Sequence, residues 1–509
     1  MPHPTHAPPE HGSPLLVASN RGPVSYSTAE DGTLSARRGG GGLVSGLSAI
    51  DPEAGAVWVC AALSDADRLA AARSGGRLDP ADTGGQAVRM VDIDPEVFRD
   101  AYDQIANSVL WFVHHMLYQT PLEPAFDSDF AGQWASYERY NRAFAETLAQ
   151  EAAEGATVLV QDYHLTLTPG MLRALRPDLR VGHFSHTPWA PPDYFRMLPA
   201  RQAEAVLRGV LGADRAAFLT PRWASAFVDC CVQLLGAREE GRPALPTLHG
   251  GPGEPVDTSS WTVTLDGHTT RIGVHGLGAD ATFLRERAAR PDVDERRQAL
   301  REQIGHTPEG APRHTVVRVD RTELSKNIVR GLHAYRRLLT DRPEWRERVV
   351  HLAFAYPSRQ DLALYRSYTE EVSRVAEEIN SAFGTDGWTP VLLHVRDDFA
   401  RSLAAYQLAD VALVNPIRDG MNLVAKEVPV LSERGCALVL SQEAGAHEEL
   451  GRYALVVNPY DITGTADALH TALTMDDAER RDRCAHLVEA ATALPPTEWF
   501  LQQLQALRG

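Results

Sequence analysis

Residues 415–450 read NPIRDGMNLVAKEVPVLSERGCALVLSQEAGAHEEL, and this stretch sets the fold class. The apolar run ending at Val414 predicts a buried strand, the turn formers after it predict a loop, and a helix is predicted to start near Met421. After Glu433, Arg434 and Gly435 come a second apolar run, 437–440, and a second small-residue turn, 442–446. Strand ends in parallel α/β sheets are where ligands sit, and helix N-termini offer backbone N–H groups to anions. Asp419, Gly420, Met421, Asn422 and Leu423 are therefore expected to present amides to a phosphate. Glu427, one helical turn after Leu423, is placed to accept hydrogen bonds from a ribose diol. The pattern is that of a nucleotide-sugar site.

Outward from this stretch, strand and helix alternate along the chain. Apolar runs predict strands at 15–19, 157–160, 181–184, 314–319, 349–355 and 391–393. Trp134, Tyr137, Asn141, Phe144 and Leu148 recur at helical spacing, as do residues 203–211 and 496–508. Residues 262–265 and 270–274 flank Asp266 and Gly267 and predict a hairpin. Residues 237–260 read as a surface excursion, and 282–305 as a charged helical stretch. Such alternation predicts two doubly wound, Rossmann-like parallel-sheet domains. The expected boundaries are a disordered tail at 1–14, an N-terminal domain at 15–274, a C-terminal domain at 275–490, and a final helix at 491–509 packing back on the N-terminal domain. No internal repeat is visible in the sequence.

At 509 residues the chain is too long for one core, which agrees with two domains. Its net charge of −17 argues against nucleic acid and anionic membrane as partners. A phosphorylated substrate then needs a local cluster of cations. Cys60, Cys230, Cys231, Cys436 and Cys484 show no metal-like spacing, and each lies in or beside an apolar run. They read as buried reduced thiols, as in a cytoplasmic protein. No run of 18 apolar residues spans a membrane, and the first residues have neither the basic region nor the apolar core of a signal peptide.

Polar residues gather at the predicted strand ends. Asp162 follows strand 157–160, and His186 follows strand 181–184. Arg321 and Lys326 follow strand 314–319 and precede a helix at 328–338, where two cations make sense beside a diphosphate. Arg359 follows strand 349–355 in the same way. The glycines at 39–42, Gly41 and Gly42 among them, allow backbone to approach a sugar or phosphate. Taken singly, each has a plainer reading. Tyr102 and Trp111 would be core aromatics, His186 a satisfied loop histidine, Asp162 a turn cap, and Arg321 and Lys326 partners of Glu323 and Asp320 in a solvated ion cluster.

In order, the segments SNRGPV (19–24), RGGGGLVSGL (38–47), YDQIANSVLW (102–111), DYHL (162–165), HTPWAPPDYFRMLP (186–199), RTELSKN (321–327), PSR (357–359) and RDGMNLVAKE (418–427) resemble the trehalose-6-phosphate synthase family. These are retaining glucosyltransferases of the GT-B fold, two Rossmann-like domains with a cleft between them. The resemblance implies glucose transfer from a nucleoside-diphosphate glucose, UDP or GDP, to glucose 6-phosphate, with no cofactor and no metal. It assigns Arg21, Tyr102, Trp111 and Arg359 to the phosphorylated acceptor, and Asp162 and His186 to the reacting sugars. Arg321 and Lys326 fall to the donor diphosphate, while Asp419, the amides of 421–423 and Glu427 fall to the donor glucose and ribose.

Two positions depart from the family pattern. The tryptophan common a few residues after the strand that begins at Trp58 is missing from Val59, Cys60, Ala61 and Ala62, and the glycine usual after the lysine is Asn327. Both changes also resemble validoxylamine phosphate synthases, which join a nucleotide cyclitol to an aminocyclitol phosphate through a C–N bond. A non-catalytic sugar-phosphate-binding subunit is a further alternative, against which Arg321 and Lys326 are both present. The donor base and the oligomeric state, a homo-oligomer included, stay open at the sequence level.

Overall fold

The computed structural model describes residues 12–29, 31–38, 55–244, 257–360 and 362–508. These form two compact units, each with its own sheet: described residues up to 244 with 257–276 and 496–508 in one, and 277–495 in the other.

The first unit holds β1 (Ser13–Ser19), β2 (Val24–Thr28), β3 (Leu34–Arg38), β4 (Ala56–Ala61), β5 (Ala87–Val91), β6 (Ala152–Gln161), β7 (Arg180–Ser185), β8 (Arg215–Phe218), β9 (Arg238–Glu240), β10 (Thr262–Leu265) and β11 (His268–Val274). Its main sheet runs β5-β4-β1-β6-β7-β8-β11-β10-β9. The strands are parallel from β5 to β11, while β10 and β9 add on as an antiparallel edge. Asp266 and Gly267, both at positive φ, make the tight turn expected between β10 and β11. The predicted excursion at 237–260 is thus shorter than expected, because Arg238–Glu240 pairs with β10. Helix Ser128–Glu151 buries Trp134, Tyr137, Asn141, Phe144 and Leu148 on one face. The last helix, Pro496–Arg508, sets Trp499 edge-on against Phe184, the ring centroids 4.9 Å apart.

The second unit holds β12 (His314–Arg321), β13 (Val349–Tyr356), β14 (Val391–His394), β15 (Val411–Val414), β16 (Ala437–Ser441) and β17 (Leu455–Val457). All are parallel, in the order β14-β13-β12-β15-β16-β17. Every residue of β13, β15 and β16 is buried, as a sheet covered on both faces requires.

The two sheets share one wiring. The six strands β5-β4-β1-β6-β7-β8 and the six strands β14-β13-β12-β15-β16-β17 both read 3-2-1-4-5-6 in order of appearance within their halves. In such a sheet the crossovers reverse direction between strands 1 and 4, and a crevice opens at the carboxyl ends of those strands. Here those pairs are β1 with β6, and β12 with β15. Among the described residues, no helix is long and apolar enough to cross a membrane.

Candidate functional site

In the second unit the reversal point lies between Arg321, the last residue of β12, and the loop that leaves β15 at Asn415. Lys326 sits in the short 3-10 turn Leu324–Lys326 and reaches across to this loop, its Nζ 2.5 Å from Asp419 Oδ2. Both groups are largely buried, and the carboxylates of Asp419, Asp320 and Glu323 offset the burial that disfavours the Lys326 charge. Asn422 donates from Nδ2 to the same Asp419 oxygen at 3.1 Å. Asp419 also joins the neighbouring loop through its backbone, its N–H donating to Glu443 O at 3.2 Å and its O accepting from Gly445 N–H at 3.0 Å. Gly445 is required there, because a Cβ would collide with the carbonyl of Gly420.

One expected helix start is corrected and a second stands with its leading amides already bonded. The helix predicted near Met421 begins at Val424, because Asn422 holds a left-handed φ of 78° and its Oδ1 accepts the Ala425 N–H at 3.2 Å. The residues 420–423 therefore form a loop ahead of the helix, and Glu427 lies in its first turn. Helix Ile328–Asp341 starts after Lys326 at the residue the sequence predicts. Its leading N–H groups, of Ile328 and Val329, are taken by the Tyr368 hydroxyl at 2.8 and 3.4 Å, so they are already satisfied.

Glu427 is buried, and desolvation raises its carboxyl to about 7 against the lowering effect of a Tyr406 hydrogen bond. Asn327 occupies a left-handed conformation, φ 58°, that favours glycine and tolerates asparagine. Its Nδ2 donates to the carbonyls of Asn415 (3.0 Å) and Pro459 (2.8 Å), and its Oδ1 accepts from Arg330 at 3.0 Å. Asparagine at this position thus adds side-chain bonds to two further loops that a glycine could not make.

The solvated ion cluster set out as the plainer reading does not form. Glu323 has no exposed side-chain surface, Asp320 pairs with Arg318 at 2.9 Å, and Lys326 pairs with Asp419. Glu323 does meet Arg321, at 3.2 Å, and it also lies 3.8 Å from Arg359. Arg359 itself has a φ of 49° and donates to Tyr365 OH at 2.9 Å.

In the first unit the corresponding reversal point lies between Ser19 and Gln161, the ends of β1 and β6. Arg21 follows β1 with its side chain exposed, and no acidic side chain pairs with it among the described residues. Asp162 follows β6 at a φ of 72°, its N–H donating to Phe184 O at 2.7 Å and its Oδ1 accepting the His186 N–H at 3.2 Å. The His186 ring shares a hydrogen bond with Gln161 Oε1 at 2.9 Å, and burial lowers its pKa to about 4, so the imidazole is neutral at pH 7. Tyr102 stacks between Phe98 and His164, at 5.2 and 5.5 Å. Trp111 is buried against His115 and Tyr163. Gly41 and Gly42 lie outside the described residues.

Of the seven non-glycine residues with positive φ among the described residues, four are Asp162, Asn327, Arg359 and Asn422. All four lie on loops that follow strands β6, β12, β13 and β15. Such conformations cost roughly 1–3 kcal/mol each and cluster where structure is spent on function. Sequence reading passed over Gln161, Tyr406 and Tyr368, whose partners lie far off in sequence, and it read Asn327 only as a departure from a glycine.

The chain is similar to known proteins along nearly its whole length. Residues 13–509 match glycosyltransferase family 20. A trehalose-6-phosphate synthase of Mycobacterium sp. (strain JLS) is 34% identical over 499 residues, 97% of this chain and 96% of the relative. An α,α-trehalose-phosphate synthase (UDP-forming) from Burkholderia vietnamiensis superposes with a TM-score of 0.78 at 28% identity, covering 97% of this chain and 100% of that one. An E. coli structure bound with UDP-2-fluoro glucose superposes with a TM-score of 0.80 at 26% identity, covering 97% and 98%. The GT-B fold expected from the sequence is the fold of this chain. With the match running from residue 13 to the last residue, the chain belongs to glycosyltransferase family 20.

Proposed function

We propose that this enzyme transfers glucose from a nucleoside-diphosphate glucose to glucose 6-phosphate with retention, giving α,α-trehalose 6-phosphate. The observation that carries the reading is the buried Lys326–Asp419 pair beside Arg321, at the reversal point of β12 and β15. The leaving diphosphate gains negative charge as the glycosidic bond breaks, and preorganised cations in a closed setting stabilise that charge most. Lys326 and Arg321 supply them, with the amides of Met421, Asn422 and Leu423 ahead of helix Val424–Leu431. Asp419, oriented by Lys326 and Asn422, accepts from hydroxyls of the donor glucose. Glu427 accepts from the ribose.

Arg21 with Tyr102 and Trp111 serves the acceptor, and Arg359 serves its phosphate, since arginine's planar fork matches phosphate oxygens. Asp162 and neutral His186 orient the reacting sugars. No carboxylate is assigned as a nucleophile, so the acceptor attacks on the face the diphosphate leaves, and its proton passes to the departing phosphate oxygen. Holding both reactants in register then supplies much of the lowering of the barrier.

Proton NMR of the product made from UDP-glucose or GDP-glucose and glucose 6-phosphate, in the presence of a chelator, tests the reading. An α,α-linked disaccharide phosphate is expected with either donor that binds. A β-linked product, or activity that the chelator abolishes and magnesium restores, overturns the metal-free front-face reaction. Activity only with an aminocyclitol phosphate acceptor overturns the choice of substrate.

A further inference from the structure

We infer that Glu323 is a positioning residue that sets the two arginines assigned to different substrates, Arg321 for the donor diphosphate and Arg359 for the acceptor phosphate. The inference rests on the site assignments of the proposed function and adds a group that those assignments do not include.

The register of the sheet explains why one carboxylate reaches both. Arg321 on β12 pairs with Tyr356 on β13, so the loops leaving these two strands start side by side. The Thr322 N–H donates to Tyr356 O at 2.6 Å and locks the loops together just before Glu323. Glu323 then turns inward. Its side chain has no exposed surface, whereas that of Arg321 is 58% exposed and that of Arg359 13%. Glu323 Oε1 lies 3.2 Å from Arg321 Nε and accepts from Ser358 Oγ at 3.0 Å, while Oε2 lies 3.8 Å from Arg359 Nη1. Its carbonyl accepts the Lys326 N–H at 3.0 Å, so the same residue also holds the turn that carries the lysine.

A carboxylate removed from water is costly unless it is paired. Arg321, Arg359 and Lys326 together hold the Glu323 carboxyl below its ordinary value in spite of the burial. The charge is therefore retained inside the protein. Its effect on stability is poor justification for keeping it, because a buried ion pair is often no better than a well-packed apolar substitute. Its effect on orientation is specific. Arg321 is bound through Nε, which leaves the terminal nitrogens of its fork to face a ligand. Arg359 is held between Glu323 and Tyr365 OH. With Glu323 removed, Arg321 loses its anchor and Arg359 keeps only its bond to Tyr365 OH of the two contacts, so both gain rotamer freedom that phosphate binding must then overcome.

Titration calorimetry on the full chain tests this with UDP, glucose 6-phosphate and inorganic pyrophosphate as probes. Glu323→Gln keeps the volume and an acceptor for Ser358 but removes the charge, and Glu323→Asp keeps the charge and withdraws it by one methylene. Glu323→Gln is expected to weaken UDP, pyrophosphate and glucose 6-phosphate by about tenfold or more each, with Glu323→Asp intermediate. Double-mutant cycles separate positioning from a general loss of fold. Glu323→Gln should add little to Arg321→Ala for UDP, and little to Arg359→Ala for glucose 6-phosphate. If Glu323→Gln leaves the affinities unchanged, or if its effects multiply fully with both arginine variants, Glu323 does not position them. Failure of the wild-type protein to bind glucose 6-phosphate would overturn the acceptor and with it the Arg359 arm. Pyrophosphate would still test the Arg321 arm.

Discussion

Lys326 shows how a single charge is made useful. Burial alone would favour its neutral form, yet three carboxylates, those of Asp419, Asp320 and Glu323, keep it an ammonium. Lys326→Ala removes a cation already in place before the diphosphate departs, so turnover is expected to fall by about 10²–10³-fold, with a lower melting temperature as well because the buried Asp419 carboxylate loses its Lys326 partner. Near-normal turnover in a steady-state assay would remove Lys326 from the chemistry. Glu427 makes a pH-dependent prediction. With its carboxyl raised to about 7, protonation below neutrality replaces the two-oxygen acceptor a ribose diol needs with a weaker one. The Michaelis constant for the donor should therefore rise as pH falls through 7. Tyr406→Phe removes a hydrogen bond that favours the charged form, so this transition should move to higher pH. A donor constant that is flat from pH 6 to 8 in both proteins would contradict the assignment.

At the scale of elements, the strands were legible and the loop geometry was not. The strands expected at 314–319, 349–355, 391–393 and 437–440 appear as β12, β13, β14 and β16, each within two residues at either end. Continuous apolar runs mark buried parallel strands wherever both faces are covered. The helix start near Met421 was misplaced because a left-handed asparagine, not local propensity, sets it at Val424. The same loops give a prediction. Gly445 lets the loop after β16 pass against Gly420 in the loop after β15, and Asp419 bonds across the join. Gly445→Ala should push the loops apart and raise the donor Michaelis constant at least as much as the acceptor constant. Unchanged donor kinetics would mean that the contact is only packing.

At the scale of the whole molecule, buried histidines link stability to pH. Burial lowers His183 and His275 to about 4 and His114 and His351 to about 3, from 6.5. Their folded values lie below the unfolded one, so the neutral rings contribute stability that is complete above pH 6.5 and is lost as pH falls through 4 for His183 and His275 and on to 3 for His114 and His351. A shift of this size is worth on the order of 3 kcal/mol per group at the acid limit. The melting temperature is expected to fall steeply between pH 6.5 and 4, and replacing His114 with Phe should lessen the slope. A melting temperature independent of pH over that range would show the rings to be hydrated or already charged.

Read alone, the sequence determined the class of fold and the family. Periodicity, turn residues and the order of motifs are local properties that survive without a partner segment, and together they specified two Rossmann-like halves and the positions of Arg321, Lys326, Asp419 and Asp162. The folded chain decided what each charge meets. Glu323 reaches Arg359, Lys326 reaches Asp419, Asn327 reaches Pro459 and Tyr368 reaches Ile328, across 36 to 132 positions of sequence. It also disclosed the 3-2-1-4-5-6 order common to both halves, which no repeat in the sequence betrays. The physical reason is the same in each case. Strand order and side-chain pairing are long-range contacts selected by burial and by the need to satisfy every buried polar group, and neither condition is written in the spacing of neighbouring residues.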